Sequence, residues 1–200
     1  MTTQEQPVGV HVGAGGDPLV LGLPVFAVAS LALGMGLMGK PAGLGIVAPL
    51  IILTTGLFQL VATGWAIALG QSMVATIFGL FSGLWLTLGF VIIGTQHAWF
   101  GLPAGGVVAA EQLIFISYAS LFFFLIIPCL RLPLIYPVIV ILIVATLALA
   151  AAGIDAIAGY IALTFSFLGF WAWLNTAQTA MGAKRSWPPL GKVLCAGKSE

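Results

Sequence analysis

The residue best placed to do chemistry is Glu111, an acid in the first turn of the fourth of six long apolar segments. A carboxylate inside hydrocarbon is costly and usually functional, but an acid at headgroup level is also stabilised by the dipole of the helix that it begins. His97 and Asp155 fall in predicted connections on the same side of the bundle. They are either solvated loop residues or, with Glu111, a proton-sensing mouth, because histidine titrates near neutral pH.

Uncharged polar side chains inside the apolar segments form a second group that could contact a solute. They are Gln59, Thr63, Ser82, Thr87, Gln112, Ser117, Tyr118, Ser120, Thr164, Ser166, Asn175, Gln178 and Thr179. Many will hydrogen-bond to another helix or to their own backbone. Hydroxyls and amides with almost no charge also suit a small polar or weakly acidic solute, whereas a cation path normally displays carboxylate rings or carbonyl loops. The candidates for a polar or proton-linked path are Glu111, Gln59, Ser82, Thr87 and Asn175.

Catalytic signatures are missing from the sequence, which contains no HExxH motif, no nucleophile elbow and no P-loop. Its two cysteines, Cys129 and Cys195, give neither a metal-binding spacing nor a disulfide framework. The net charge of +1 gives no reason to expect nucleic-acid binding. We therefore expect a protein that is not an enzyme and that has no metal site and no cofactor.

The composition indicates that the solvent of this chain is a bilayer rather than water. Hydrophobic residues make up 61% of the chain and charged residues 6%, whereas an ordinary soluble domain carries about 25% charged residues. About 20 apolar residues make one membrane-spanning helix, and the apolar runs predict six of them, at 18–39, 46–69, 73–94, 107–130, 132–152 and 157–181. These runs do not alternate as barrel strands would, so the sequence predicts an all-α integral membrane protein.

The distribution of basic residues predicts the orientation of the six helices. With an even number of spans, one side carries both termini and five basic residues, namely Arg131, Lys184, Arg185, Lys192 and Lys198, against Lys40 alone on the other side. Basic residues favour the cytoplasmic side, so we expect a multi-pass plasma-membrane protein with both termini in the cytoplasm. The expected domains are a disordered cytoplasmic tail at 1–17, the six-helix transmembrane domain at 18–181 and a short basic cytoplasmic tail at 182–200.

The segment at 17–26, DPLVLGLPVF, joins the N-terminal tail to the first predicted helix. Asp17 is a good N-cap, and Pro18 fits the first helical position, where its missing N–H would be unpaired in any case. Pro24 lies too deep for that position, so we expect it to kink or loosen the first turns of the helix.

Three blocks of the sequence carry a family resemblance: DPLVLGLPVF at 17–26, FGLFSGLWLT at 78–87 and WPPLG at 187–191. The first is similar to the signature Asn-Pro-Ala-Pro-Leu-Gly-Leu-x-x-Phe of the acetate uptake transporters, the succinate–acetate permease (YaaH-type) family. The second resembles the aromatic-Gly-Ser-Phe-Trp-Leu-Thr segment on the third span of that family, and the third resembles the Pro-x-Gly that closes its chains. The resemblance covers nearly the whole chain and identifies a divergent member.

This resemblance implies six transmembrane helices surrounding a pore in each protomer, assembled as a homohexamer. It implies movement of acetate and related short-chain monocarboxylates, in some members succinate, together with protons. The family's hydrophobic constriction falls on Phe26, Phe81 and Ile143. The signature at the pore mouth falls on Asp17, Pro18, Leu21, Gly22 and Leu23.

The chain departs from the family pattern at positions that bear on the substrate. Asp17 stands where the family has Asn, Val20 where it has Pro, and Phe81 where it has Tyr. A constriction of Phe and Ile side chains offers no donor to an anion, and burying an unpaired carboxylate costs far more than burying its protonated form. We therefore expect either the protonated acid to cross or a neutral solute, such as urea or a short amide, to be the substrate. A membrane sensor or structural protein without flux is a third interpretation.

Overall fold

The computed structural model describes residues 16–39 and 47–195. Within these ranges the chain forms six α-helices: α1 (Leu19–Leu37), α2 (Val47–Ala68), α3 (Ser72–Gln96), α4 (Ala104–Cys129), α5 (Ile135–Ala151) and α6 (Asp155–Ala180). Five of them are long and apolar enough to cross a membrane. The sixth, α5, has 17 residues and would span about 26 Å at the usual helical rise. The predicted all-α membrane fold with six helices is therefore confirmed.

Three predicted helix starts were wrong by two or three residues. Helix α4 begins at Ala104 rather than at 107, so Glu111 lies beyond the first helical turn, in which it was predicted. Helix α5 begins at Ile135 rather than at 132. Helix α6 begins at Asp155, so this acid belongs to the first helical turn and not to a connection. An acid in that position is stabilised by the positive end of the helix dipole. The predicted N-terminal tail up to residue 15, Lys40 and Lys198 lie outside the described residues.

The helices close into a ring in the order α3, α2, α1, α6, α5, α4. Neighbours in this order pack along their lengths, except that α3 and α4 meet over only a few residues. One of these contacts brings the Tyr118 hydroxyl of α4 against Gly83 of α3. The ring therefore has a thin seam between α3 and α4, and the buried side chains of all six helices face a common interior.

Glycines allow the closest helix approaches in the ring. A Cβ built on Gly34 of α1 would lie 2.9 Å from the carbonyl oxygen of Gly159 on α6, and one built on Gly159 would lie 2.8 Å from the carbonyl oxygen of Gly34. A Cβ on Gly89 of α3 would lie 2.9 Å from the Cα of Leu53 on α2. Backbones in a bilayer can approach this closely only where small residues face each other.

Helix α1 continues through Pro24, which lies in its second turn. The predicted loosening therefore does not interrupt the helix. A proline at this depth removes one backbone hydrogen bond, to the carbonyl of Val20, because it has no N–H to donate.

Residues 183–195, called here the C-terminal segment, fold back onto the bundle. The N–H of Leu134 donates to the Lys192 carbonyl at 3.1 Å, and the N–H of Ile135 donates to the Leu190 carbonyl at 3.1 Å. Gly191 adopts a φ of +85° between these two bonds, with its Cα close to the Leu134 side chain. The described part of the predicted tail is therefore packed against the α4–α5 connection, and this pairing explains why α5 starts later than predicted.

Candidate functional site

A cavity of about 330 Å³ lies at the end of the bundle where α1 and α3 begin and α4 and α6 end. We call it the Leu190 cavity, because Leu190 of the C-terminal segment contributes to its wall. Most of its lining is apolar. The polar side chains in the lining are Asp17, Tyr136, Asn175, Thr176 and Thr179.

A second cavity, of about 500 Å³, lies at the opposite end of the bundle. We call it the Glu111 cavity, and its ionisable lining residues are Glu111 and Asp155. Gln96 and Gln112 add two amides to the wall, and Gln112 donates to the carbonyl of Ala151 at 3.2 Å. Among the described residues, neither cavity is lined by a lysine, an arginine or a histidine.

The two cavities are separated by a short stretch of each helix. The lining of the Leu190 cavity ends at Phe26 on α1, Phe81 on α3 and Val140 on α5. The lining of the Glu111 cavity begins on the same helices at Ala32, Leu88 and Ala150. These intervals correspond to about 9 to 15 Å along a helix axis. We call the buried side chains at this level the apolar layer; it consists of Phe26, Phe81, Trp85, Phe122 and Ile143.

Aromatic rings fill the apolar layer. Phe81 lies at the centre, with its ring centroid 4.7 Å from that of Phe26, 4.8 Å from that of Phe122 and 6.1 Å from that of Trp85. Phe26 stacks in turn on Phe165 of α6 at 5.9 Å. Such tilted and stacked pairs pack favourably. Of the five side chains that define the layer, only that of Trp85 carries a hydrogen-bonding group, its indole N–H. These rings therefore offer an anion little to replace its bound water.

The three residues predicted for the constriction occupy related positions. Phe26 and Phe81 are in contact, and both line the Leu190 cavity. Ile143 is 2% exposed and belongs to the same hydrophobic cluster, but it lines neither cavity. It lies on α5 between Val140 of one cavity and Ala150 of the other. Their role as a constriction stays a prediction.

The predicted cap at the start of α1 is present. The carboxylate of Asp17 accepts a hydrogen bond from the N–H of Leu19 at 2.9 Å. Pro18 has helical dihedral angles, with φ at −56°, and its side chain is buried. This is N-cap geometry, and it places the Asp17 carboxylate in the wall of the Leu190 cavity.

The other signature residues on α1 have different surroundings. Leu23 lines the Leu190 cavity, whereas Leu21 is half-buried and lines neither cavity. Gly22 faces the Phe78 ring, where a Cβ would lie 2.1 Å from the nearest ring carbon. The signature glycine therefore lets Phe78 pack against α1, and it contributes to the shape of the cavity rather than to its polarity.

Most of the predicted polar-path residues are occupied by the fold itself. Ser82 donates to the carbonyl of Gly56 at 2.9 Å, which joins α3 to α2. Asn175 lines the Leu190 cavity but its amide donates to the carbonyl of Pro188 at 2.7 Å. Thr87 is half-buried and lines neither cavity. Gln59 is the exception: it is 0% exposed, and neither its amide oxygen nor its amide nitrogen has a partner.

The predicted proton-sensing mouth is assembled in part. Glu111 and Asp155 share a cavity, but His97 is not among its lining residues. The exposed His97 instead stacks on Trp99, with ring centroids 6.0 Å apart. The three-residue cluster is therefore wrong as stated, because the last turn of α3 carries His97 past the end of the cavity. Among the described residues there is no group of three His, Cys, Asp or Glu side chains that could hold a metal ion.

Sequence reasoning missed three residues of this region: Phe122, Phe165 and Leu190. Phe122 lies in the run LFFFL at 121–125, where every residue is apolar and the inward position has no distinguishing neighbour. Phe165 directly precedes Ser166, whose hydroxyl donates across the helix contact to the carbonyl of Ala27 at 2.7 Å. Leu190 belongs to the WPPLG block, which pointed to the family but not to a cavity wall.

Comparison with known proteins supports the fold. No protein-family model matches the chain, and no curated protein matches it. Among solved structures, the chain is similar to the bacterial acetate channel SatP, with a TM-score of 0.78 and 19% sequence identity over 88% of this chain and 99% of that chain. The two proteins therefore share the six-helix fold over nearly their whole lengths, and their sequences have diverged widely.

Proposed function

We propose that this protein is a membrane channel or transporter, not an enzyme, and that it moves acetate and related short-chain monocarboxylates between its two cavities. The main observation behind this proposal is that a cavity lies at each end of the bundle, with the apolar layer between the two cavities. The fold shared with an acetate channel supports this assignment. In the proposed path Phe26, Phe81 and Ile143 form the narrowest part, and Asp17 lies at the mouth of the Leu190 cavity.

The solute crosses the apolar layer as the neutral acid, so that transport is linked to protons. An unpaired carboxylate buried among aromatic rings costs many times more than its protonated form. The described residues of the two cavity walls include Asp17, Glu111 and Asp155 and no basic side chain. These described wall residues supply no positive charge that would concentrate anions. Succinate must take up two protons before it can cross, so we expect it to move more slowly than acetate.

The proposed setting is the plasma membrane, with both termini in the cytoplasm and the six-helix domain at 18–181. Arg131, Lys184, Arg185 and Lys192 lie on the side of the Leu190 cavity, which supports this orientation. We also propose a homohexamer, on the family resemblance. Each protomer then has its own path, because both cavities are enclosed by helices of one chain.

Uptake of labelled acetate into proteoliposomes tests the proposal. We expect uptake that depends on the protein and increases when the outside is made more acidic than the inside. Protein-dependent uptake that ignored the imposed pH difference would contradict the proton-linked route. No uptake above empty liposomes would contradict the substrate.

A second candidate is a channel for a small neutral solute such as urea or a short amide. The absence of basic side chains from the described cavity walls favours it, because a neutral solute needs no counter-charge. Competition separates the two functions. Excess urea should slow the flux of the true substrate if it is an amide and leave acetate flux unchanged if it is an acid.

A further inference from the structure

Gln59 is a fully buried amide that the fold leaves without hydrogen bonds. Its side chain is 0% exposed, and neither Oε1 nor Nε2 has a partner. Leaving a buried donor or acceptor unpaired costs about 1 to 3 kcal/mol, and native proteins contain few such groups. A leucine or methionine at this position would fill similar space without this cost. The amide therefore requires a reason other than packing.

Helix contacts place Gln59 at the level of the apolar layer. Along the antiparallel pair of α2 and α3, Gly56 lies against Leu86, and Thr63 lies against Gly79. Gln59 is midway between Gly56 and Thr63, so it is level with residues 82 and 83 of α3. These follow Phe81 directly. Helix α2 also packs against α1, so the amide is enclosed beside the two helices that carry Phe26 and Phe81.

The indole N–H of Trp85 is a second unpaired group at the same level. Trp85 is 1% exposed, its Nε1 has no partner, and its ring stacks on Phe81. Among the described residues, the buried side-chain nitrogen and oxygen atoms without a partner are those of Gln59 and Trp85. The unsatisfied hydrogen-bonding capacity of the interior is therefore concentrated on two neighbouring helices, where the path is otherwise driest.

We propose that the Gln59 carboxamide is the group that hydrogen-bonds the protonated carboxyl group of the solute as it passes the apolar layer. This inference rests on the proposed function. A carboxamide can donate its N–H to the carbonyl oxygen of the acid and accept the acid's O–H on its own oxygen. A carboxylate has no O–H to donate, so in the same position one of its oxygens would face the amide oxygen, and two acceptors repel each other. The pairing selects the neutral acid, and a primary amide, with the same donor and acceptor spacing, is the other solute class that fits.

Gln59→Leu tests this role in proteoliposomes. We expect acetate flux to fall about tenfold, which corresponds to the loss of one to two hydrogen bonds. The melting temperature should be unchanged or higher, because an unpaired buried amide is removed. The matched control is Thr63→Val, one turn away on α2, where the hydroxyl donates to the Gln59 backbone carbonyl at 2.9 Å. Its flux should equal that of the wild type.

Three results would overturn the inference. Unchanged acetate flux in Gln59→Leu would show that the amide does not contact the solute. A lower melting temperature in step with the lower flux would show a structural role. A wild type that moved neither acetate nor acetamide would exclude both this inference and the proposed function. A wild type that moved acetamide but not acetate would overturn the proposed function. Slower acetamide flux in Gln59→Leu would then show that the amide contacts the solute, although the solute carries no carboxyl group.

Discussion

The rings of Phe26 and Phe81 lie with their centroids 4.7 Å apart and their planes tilted by 59°, where α1 approaches α3. Each ring is also held on another side, Phe26 by Phe165 and Phe81 by Phe122. On the proposed path, a solute that crosses must therefore displace a set of packed rings rather than a single side chain. The contact is part of the core, and we propose that it is also the barrier of the path.

Truncating one ring should open the barrier at a cost in stability. We expect Phe26→Ala to increase acetate flux several-fold and to bring butyrate flux closer to that of acetate, because the layer loses a ring. Removing a buried phenylalanine side chain costs about 3 to 5 kcal/mol, so the melting temperature should fall. Phe167→Ala on the same bundle is the control, since Phe167 is 62% exposed. Flux that fell in Phe26→Ala in correctly folded protein would argue that the ring guides the solute.

Two substitutions of Asp17 separate its role as a helix cap from the effect of its negative charge on flux. Asp17→Asn keeps an oxygen for the N–H of Leu19, whereas Asp17→Ala removes it at a cost of about 1 kcal/mol. We expect only the alanine variant to melt earlier. Acetate flux should be the same in both, because the concentration of a neutral acid does not depend on local charge. Higher flux in both variants at neutral pH, reduced by added salt, would indicate that the anion crosses.

The pH dependence of wild-type uptake tests the species that crosses. At fixed total acetate and above the pKa of acetic acid, the neutral fraction falls about tenfold for each pH unit. We expect initial uptake to follow this slope, with equal pH on both sides of the membrane. Uptake that stayed constant over two such units would show that the apolar layer admits the carboxylate.

Asn175 should hold the C-terminal segment over the Leu190 cavity. Its amide donates to the carbonyl of Pro188 at 2.7 Å, and Pro188 is buried. Asn175→Ala leaves that carbonyl unpaired, so the segment should open more often. We expect tryptic cleavage at Lys192 to become about tenfold faster, because cleavage follows the population of the open form. Thr164→Ala, which loses only a bond to its own helix at Tyr160, serves as the control, and equal cleavage in both variants would contradict this role for Asn175.

The sequence predicts the helices well for two reasons. Apolar runs of about 20 residues indicate membrane-spanning helices, and glycine and proline mark where these runs end. The sequence places the start of α5 too early because residues 132–134 are apolar, and the pairing of Leu134 and Ile135 with residues 192 and 190 at this point is not visible in the sequence. Phe26 and Phe81 are found through short motifs. Phe122 is not, because an all-apolar helix has no periodic face that distinguishes the interior from the lipid. The unpaired state of Gln59 depends on its distance from every other polar group, which a sequence does not contain.

Under the proposed route, the apolar layer also has an energetic consequence for the cell. A weak acid that crosses it in neutral form carries one proton inward and releases it in the less acidic compartment. Each molecule of nutrient taken up by this route therefore acidifies the cytoplasm and discharges part of the pH difference that drives respiration-linked work. On the proposed route, a membrane rich in this protein would lose its pH difference to the entering acid in an acidic medium containing acetate. It would keep its electrical potential, because the neutral acid carries no net charge.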